Sequence, residues 1–227
     1  MSIVSVRGLT RDYPQGEHTV HALRGVSLDI EPGEFTVLMG PSGSGKSTLL
    51  NLIGGLDKLT AGSVTIEGAD LASMTPGERS DLRRDRLGFI FQAYNLIPVL
   101  TAAENAEFVL QLQGKSAAER RARAHETLAQ VGLEGMEGSR PNELSGGQQQ
   151  RVAVARAIAG DPALVLADEP TANLDSTTSD ELIATMRRLN TEFGVTFVFA
   201  THDPKVMAAA SRVVRLVDGE IAEDTRT

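Results

Sequence analysis

The sequence predicts a mainly parallel α/β fold, and three observations carry that prediction. Strand-like and helix-like stretches alternate through most of the chain. Ala163–Ala167 and Thr196–Ala200 are short, continuous apolar runs, the pattern of strands covered on both faces of a parallel sheet. Phe35–Met39 leads into a glycine-rich loop and then into the helix-like Thr48–Ile53, a strand–loop–helix unit at home in such sheets.

Taken in order, Ile3–Leu9 and Val26–Ile30 read as strands, separated by a turn-rich stretch with Tyr13, Pro14 and Gly16. This places Tyr13 in a loop, where it stacks on a purine ring or packs its own loop; the residues leave both open. Gly40–Thr48 reads Gly-Pro-Ser-Gly-Ser-Gly-Lys-Ser-Thr and fits the phosphate-loop (Walker A) pattern G-x-x-x-x-G-K-S/T without a gap. Gly40, Pro41, Ser42, Gly43, Ser44 and Gly45 curl the backbone so that several N–H groups share one concavity. The helix that starts near Thr48 adds roughly half a positive charge there, which suits a polyphosphate. Lys46 supplies a cation for the β- and γ-phosphates, and the Ser47 hydroxyl is placed to ligate Mg²⁺. The stretch binds a nucleoside triphosphate.

Gly62–Glu67 reads as a further strand, Thr75–Arg86 as a polar helix, and Gly88–Phe91 as a strand ending on Gln92. A polar residue at that end lies where ligands bind in open α/β sheets. Residues 93–143 turn rich in Ala, Glu, Gln and Arg, with helices from Ala102 to Val131 broken near Gly114 and at Gly132–Gly138. A helix follows Leu144-Ser145-Gly146-Gly147-Gln148 and runs to Ala159. The expectation is one domain over 1–227, with 1–92 and 160–227 as its core and 93–159 as an inserted helical lobe. Ala163–Ala167 delivers Asp168 and Glu169 to its C-terminal end, and Thr196–Ala200 delivers Thr201, His202 and Asp203. Val213–Val217, the hairpin signal Asp218-Gly219 and Glu220–Ala222 close the pattern, with five residues beyond.

Hydrophobic residues at 41% and charged residues at 23% describe a globular chain, and its net charge of −8 argues against nucleic acid as a main partner. The basic runs Arg79–Arg86 and Arg120–Arg123 sit in charge-mixed, helix-like stretches and read as solvated faces. The absence of cysteine excludes disulfides, thiolate catalysis and zinc-thiolate sites. The chain starts without a signal-peptide pattern, and no apolar run approaches the ~18 residues of a membrane span. A cytoplasmic location is expected, with any membrane role exercised through a partner.

Four strand ends thus carry groups suited to phosphate chemistry. Asp168 is placed to hold Mg²⁺ through its water shell, and Glu169 to orient and deprotonate the attacking water. Gln92 offers an amide to both metal and water, and His202 can donate to the γ-phosphate. Ser145, Gly146, Gly147 and Gln148 form a second small, glycine-rich helix start, hence a second anion site about a hundred residues from the first. Two such surfaces on one chain predict a head-to-tail C2 homodimer, each triphosphate lying between one Lys46 loop and the other chain's Ser145 loop.

These motifs, with Leu164–Pro170, Asn173-Leu174-Asp175 and Thr201-His202-Asp203, make nearly the whole chain resemble an ABC-type ATPase subunit. The resemblance implies a P-loop NTPase (RecA-like) core with an N-terminal antiparallel β subdomain and an inserted helical subdomain that carries LSGGQ. It makes Tyr13 the adenine-stacking aromatic, places Asp175 in the loop that crosses the dimer interface, and names ATP and Mg²⁺. Gly88–Pro98 and Leu144–Arg156 are similar to the macrolide-exporter and lipoprotein-release group (MacB/LolD type), with the cell-division ATPase FtsE a relative of the same pattern. The expected role is ATP hydrolysis coupled to a separate membrane permease, peripheral on the cytoplasmic face of the cell membrane, in export or extraction. The alternative is an FtsE-like or cofactor-assembly role without transport. Ala172 departs from the group's usual glycine, and no regulatory C-terminal domain of the sugar-importer kind is expected after Ala222. The 93–100 region is expected to contact the permease, with Leu96, Ile97 and Leu100 lining an apolar groove; the other reading folds Tyr94–Leu100 into the core.

Overall fold

The computed structural model describes residues 2–16 and 18–226, arranged around two sheets. The first is antiparallel, in the order β2-β1-β4-β5. It contains β1 (Val4–Gln15), β2 (His18–Ile30), β4 (Ala61–Ile66) and β5 (Ala69–Asp70). Val4 pairs with both Ile30 and Ile66, and Val6 with Leu28 and Val64, so one apolar face is built from three strands.

The turn-rich reading of 10–25 is corrected here, because β1 and β2 form one long hairpin in which Tyr13 pairs with Val20 and Pro14 with Thr19. Pro14 is tolerated because β1 pairs with β4 only as far as Thr10; beyond it one strand edge is free, and a missing N–H costs little.

The second sheet has the order β10-β9-β3-β8-β7-β6. Its strands are β3 (Phe35–Met39), β6 (Leu87–Ile90), β7 (Leu164–Asp168), β8 (Phe197–Ala200), β9 (Arg212–Val217) and β10 (Glu220–Arg226). All neighbours are parallel except β9 and β10, and β10 extends to Arg226 rather than ending at Ala222. Alternate residues feed two apolar clusters. Val37, Phe197 and Phe199 join one, while Leu38, Val198 and Ala200 join the other. The second cluster also takes in Val4 and Val6 of β1 with Leu49 and Ile53, so the helix α1 (Lys46–Ile53) lies between the two sheets.

Residues 93–159 contribute α3 (Ala102–Leu112), α4 (Ala117–Gln130) and α5 (Gly146–Ala159), and no strand. Ala106, Leu128 and Val154 from these helices share the first cluster with Leu182 and Leu189 of α6 (Ser176–Phe193). α2 (Pro76–Arg86) and the short α7 (Pro204–Ala208) complete the helices, and four of them share an N-terminal device. Thr75, Thr101, Ser116 and Ser145 each close a capping box with the residue three positions on. Among the described residues, no helix is long and apolar enough to cross a membrane.

Parallel pairing of β3, β6, β7 and β8 sends their C-terminal ends to one edge. The loops that begin at Gly40, Phe91, Glu169 and Thr201 therefore meet there.

Candidate functional site

At that edge lies a cleft of 680 Å³ whose lining includes Tyr13, Gly40–Gly43, Gly45–Thr48, Gln92, Glu169, Ala172 and His202. The phosphate loop reaches its shape through two glycines. A Cβ on Gly40 (φ 152) would lie 2.2 Å from Leu216 O, and one on Gly45 (φ 100) 2.5 Å from Ala22 O. Gly45 caps α1 without any side-chain hydrogen bond, so the first-turn N–H groups remain for a ligand in the cleft. Lys46 is buried, and its Nζ donates to Gly40 O at 2.8 Å and Pro41 O at 2.9 Å. Both partners are neutral carbonyls, which an anionic oxygen outcompetes. Ser44 does not line the cleft: it turns inward, and its buried Oγ has no hydrogen-bond partner.

Behind the loop, Ser47 Oγ donates to Asp168 Oδ1 at 2.8 Å. Burial pushes the Asp168 carboxyl above its ordinary range; the Ser47 hydrogen bond opposes this, the Glu169 charge adds to it, and Lys46 opposes it. Glu169 follows β7 in a left-handed conformation, φ 46, uncommon for a side chain of this kind. Its two carboxylate oxygens are held separately. Thr201 Oγ1 donates to Oε2 at 2.9 Å, and His202 Nδ1 lies 2.7 Å from Oε1. The His202 side chain is 76% exposed, so its other ring nitrogen is free to face a substrate. Gln92 is exposed, and its carbonyl accepts from Asn173 Nδ2 at 2.9 Å.

Tyr13 stands near the end of β1 rather than in a loop. Its Oη donates to Asp57 Oδ2 at 2.5 Å, and the Arg11 guanidinium covers one ring face at 4.2 Å. Arg11 in turn grips Asp57 through Nε (3.0 Å) and Nη2 (2.8 Å). Burial alone would raise the Asp57 carboxyl, but these hydrogen bonds hold it below the usual range. Sequence reasoning missed Arg11 and Asp57, since no local pattern joins residues 46 positions apart.

Ser145, Gly147 and Gln148 do not reach this cleft. They line a separate hollow of 380 Å³ with Gly132, Arg151, Thr178 and Glu181. Ser145 Oγ accepts from Gln148 N at 3.2 Å, and Ser145 N donates to Gln148 Oε1 at 2.8 Å. Close packing requires both glycines. A Cβ on Gly147 would meet Thr178 Cγ2 at 2.2 Å, and one on Gly146 would meet Tyr94 Oη at 2.9 Å. Asp175 is also outside the cleft; it caps α6, accepting from Thr178 N (3.0 Å) and Thr178 Oγ1 (2.6 Å), which lowers its carboxyl.

An apolar groove of 510 Å³ opens between α2, β6 and α3, lined by Leu56, Phe89, Phe91, Ile97, Phe108 and Leu112 among others. Ile97 is present as expected, but Leu96 and Leu100 are absent from the lining. The expectation for Leu96 is corrected by its packing against the core cluster of α3–α5, while the consecutive left-handed residues Tyr94 (φ 59) and Asn95 (φ 50) reverse the chain just before it.

The ABC transporter family matches residues 23–172, which include the phosphate loop, Gln92, Ser145–Gln148, Asp168 and Glu169. Along its full length the chain is 47% identical to the macrolide export ATP-binding/permease protein MacB of Mannheimia succiniciproducens and covers 35% of it. It is 48% identical to a MacB protein of Paracoccus denitrificans over 99% of the chain and 34% of that relative. The chain thus spans about a third of the length of these relatives. The solved dimeric ATP-binding cassette MJ0796, in a post-hydrolysis state bound to ADP and Pi, superposes with a TM-score of 0.90. It is 46% identical, with 98% of both chains covered. A second dimeric structure of that cassette also gives 0.90, at 45% identity and the same coverage. The fold, the cleft and these likenesses converge: the chain belongs to the ABC transporter family and has the fold of that family's ATPase cassettes.

Proposed function

We propose that the chain binds ATP with Mg²⁺, hydrolyses it between two head-to-tail copies, and couples their closure to a membrane permease. The observation that carries this reading is the placement of Glu169, with each carboxylate oxygen separately held, across the cleft from an uncapped phosphate-loop helix. Lys46 exchanges the Gly40 and Pro41 carbonyls for the β- and γ-phosphates, joined there by the first-turn N–H groups of α1. Glu169 takes the proton of the attacking water on Oε1, while Thr201 keeps Oε2 in place. Because Nδ1–H faces the Glu169 carboxylate, it is as the imidazolium that His202 donates from its exposed nitrogen to the γ-phosphate as charge shifts over its oxygens.

The Ser47 hydroxyl and the Asp168 carboxylate, already 2.8 Å apart, fit a hard cation together with the Gln92 amide. The ion would supply charge neutralisation between the β- and γ-phosphates. Tyr13 offers adenine the ring face that Arg11 leaves open. Ser145 and Gly147 of a second copy would meet the γ-phosphate, because their hollow is separate from their own chain's cleft.

The permease would dock in the groove beside Ile97, tethered to the cleft through Gln92. Three arginines, Arg83, Arg84 and Arg156, line that groove and no carboxylate does so among its described residues. A short apolar helix bearing an acidic residue is the matching partner. Location at a membrane follows from that partner.

Glu169→Gln tests the whole reading. It should keep ATP binding, lower turnover by about 10²–10⁴, and convert a mainly monomeric protein to a dimer with Mg-ATP, as followed by light scattering. Turnover close to that of the unaltered protein would refute the base, and a mass that ignores nucleotide would refute the closing dimer.

A further inference from the structure

Gln150 lies on α5, in the second turn after Ser145, and is wholly buried. Its Nε2 donates to Pro170 O at 2.8 Å, while its Oε1 is buried without any hydrogen-bond partner. An orphaned buried acceptor costs stability, and an apolar side chain of equal length would avoid that cost. The amide thus leaves one acceptor unpaired but satisfies another, the buried Pro170 carbonyl, through an N–H donor that a methionine lacks. That donor grips the first carbonyl after Glu169.

The backbone at Glu169 needs such a grip. A left-handed glutamate followed by proline persists only when its surroundings hold it. Two tethers come from the main chain. Glu169 N donates to Ala200 O at 2.9 Å, and Ala172 N donates to Glu169 O at 3.3 Å. Gln150 adds a side-chain tether, reaching in from a different helix. With the backbone so fixed, the carboxylate falls between Thr201 and His202.

We propose that Gln150 is a positioning residue for hydrolysis: its amide holds the Pro170 carbonyl so that the strained Glu169 presents its carboxylate to the attacking water. This rests on the reading of Glu169 as the base. It predicts a loss in kcat without a loss in affinity for ATP, a split that simple packing does not produce.

The test is Gln150→Met in the full chain, with Gln150→Leu as a second apolar replacement. Both should still fold, with melting temperatures within a few degrees of the unaltered chain, since one unpaired buried acceptor, Gln150 Oε1, is exchanged for another, Pro170 O. kcat should fall by about 10- to 100-fold, the scale of a small misplacement of a reacting group. KM and the affinity for ATP should stay within about twofold, because the loss is confined to the transition state. Combined with Glu169→Gln, Gln150→Met should subtract nothing further from residual hydrolysis, since both act through one carboxylate. Unchanged kcat in the folded variants, a matching loss of affinity for ATP, or a full additional loss in the Glu169→Gln background would each overturn the proposal. Normal turnover in Glu169→Gln alone would instead remove the base it rests on.

Discussion

Asp168 pairs function with a cost to the fold. Its carboxyl is raised by burial, so in the folded chain it titrates above the ordinary value of 3.8. The sign follows: below that value the group is protonated in both states, and as pH rises through the folded value its ionisation works against folding. A cation held with Ser47 would offset that charge. Asp168→Asn should therefore raise the melting temperature of the nucleotide-free protein at neutral pH, with the gain shrinking towards pH 4, while abolishing Mg-dependent hydrolysis. Calorimetry across pH checks the first part; a lower melting temperature at neutral pH would contradict the assignment of burial as the main cause. At this scale the turn of the phosphate loop and the placement of Gln92, Asp168, Glu169 and His202 at or just after strand ends were legible from the sequence. The Asp57–Arg11 support of Tyr13 was not, because it is created by tertiary packing alone.

Element by element, the termini of the helices make the fold sensitive to acid. Glu78, Glu104 and Glu119 are each held below the ordinary value of 4.5 by the Thr or Ser that starts their helix. Arg86 does the same for Glu67, and Arg212 for Asp224. Because these folded values lie below the unfolded ones, their stabilisation is complete above pH 4.5 and is lost as pH falls through the folded values. Acid unfolding should begin below that point, and Thr101→Ala, which removes one cap at a cost of about 1 kcal/mol, should melt earlier at every pH. Circular dichroism at 222 nm would follow it; a flat stability between pH 5 and pH 2 would contradict the account. The buried strands read correctly from sequence because continuous apolar runs have one stable home, between two covered faces. The hairpin of β1 and β2 did not, since its outer half is held by cross-strand pairing that overrides Pro14. Leu96 failed for a related reason: whether an apolar residue faces a groove or a core depends on the left-handed reversal at Tyr94 and Asn95, which composition does not reveal.

For the molecule as a whole, the groove and the cleft lie on either side of the segment that begins at Gln92. Phe108 is 40% exposed in that groove and is not part of the cleft lining. Phe108→Asp should leave the ATPase rate of the free chain within about twofold, as surface substitutions do, while lowering the share of the chain recovered with membranes. Full retention in the membrane fraction would move the docking site elsewhere. The separation of the Ser145 hollow from the phosphate-loop cleft has one more consequence, in the currency of mixed populations. A chain with Lys46→Ala keeps a sound Ser145 surface, and a chain with Ser145→Arg keeps a sound phosphate loop. On the proposed head-to-tail pairing, each alone forms only broken sites. Mixed in equal amounts, about half of the pairs are hybrids if assembly is random, and every hybrid contains one site intact on both sides. Two inactive preparations should therefore regain hydrolysis on mixing, up to about a quarter of the activity of the unaltered dimer if sites fire independently. The catalytic unit is then owned by neither chain, and defects on opposite faces are recessive to one another.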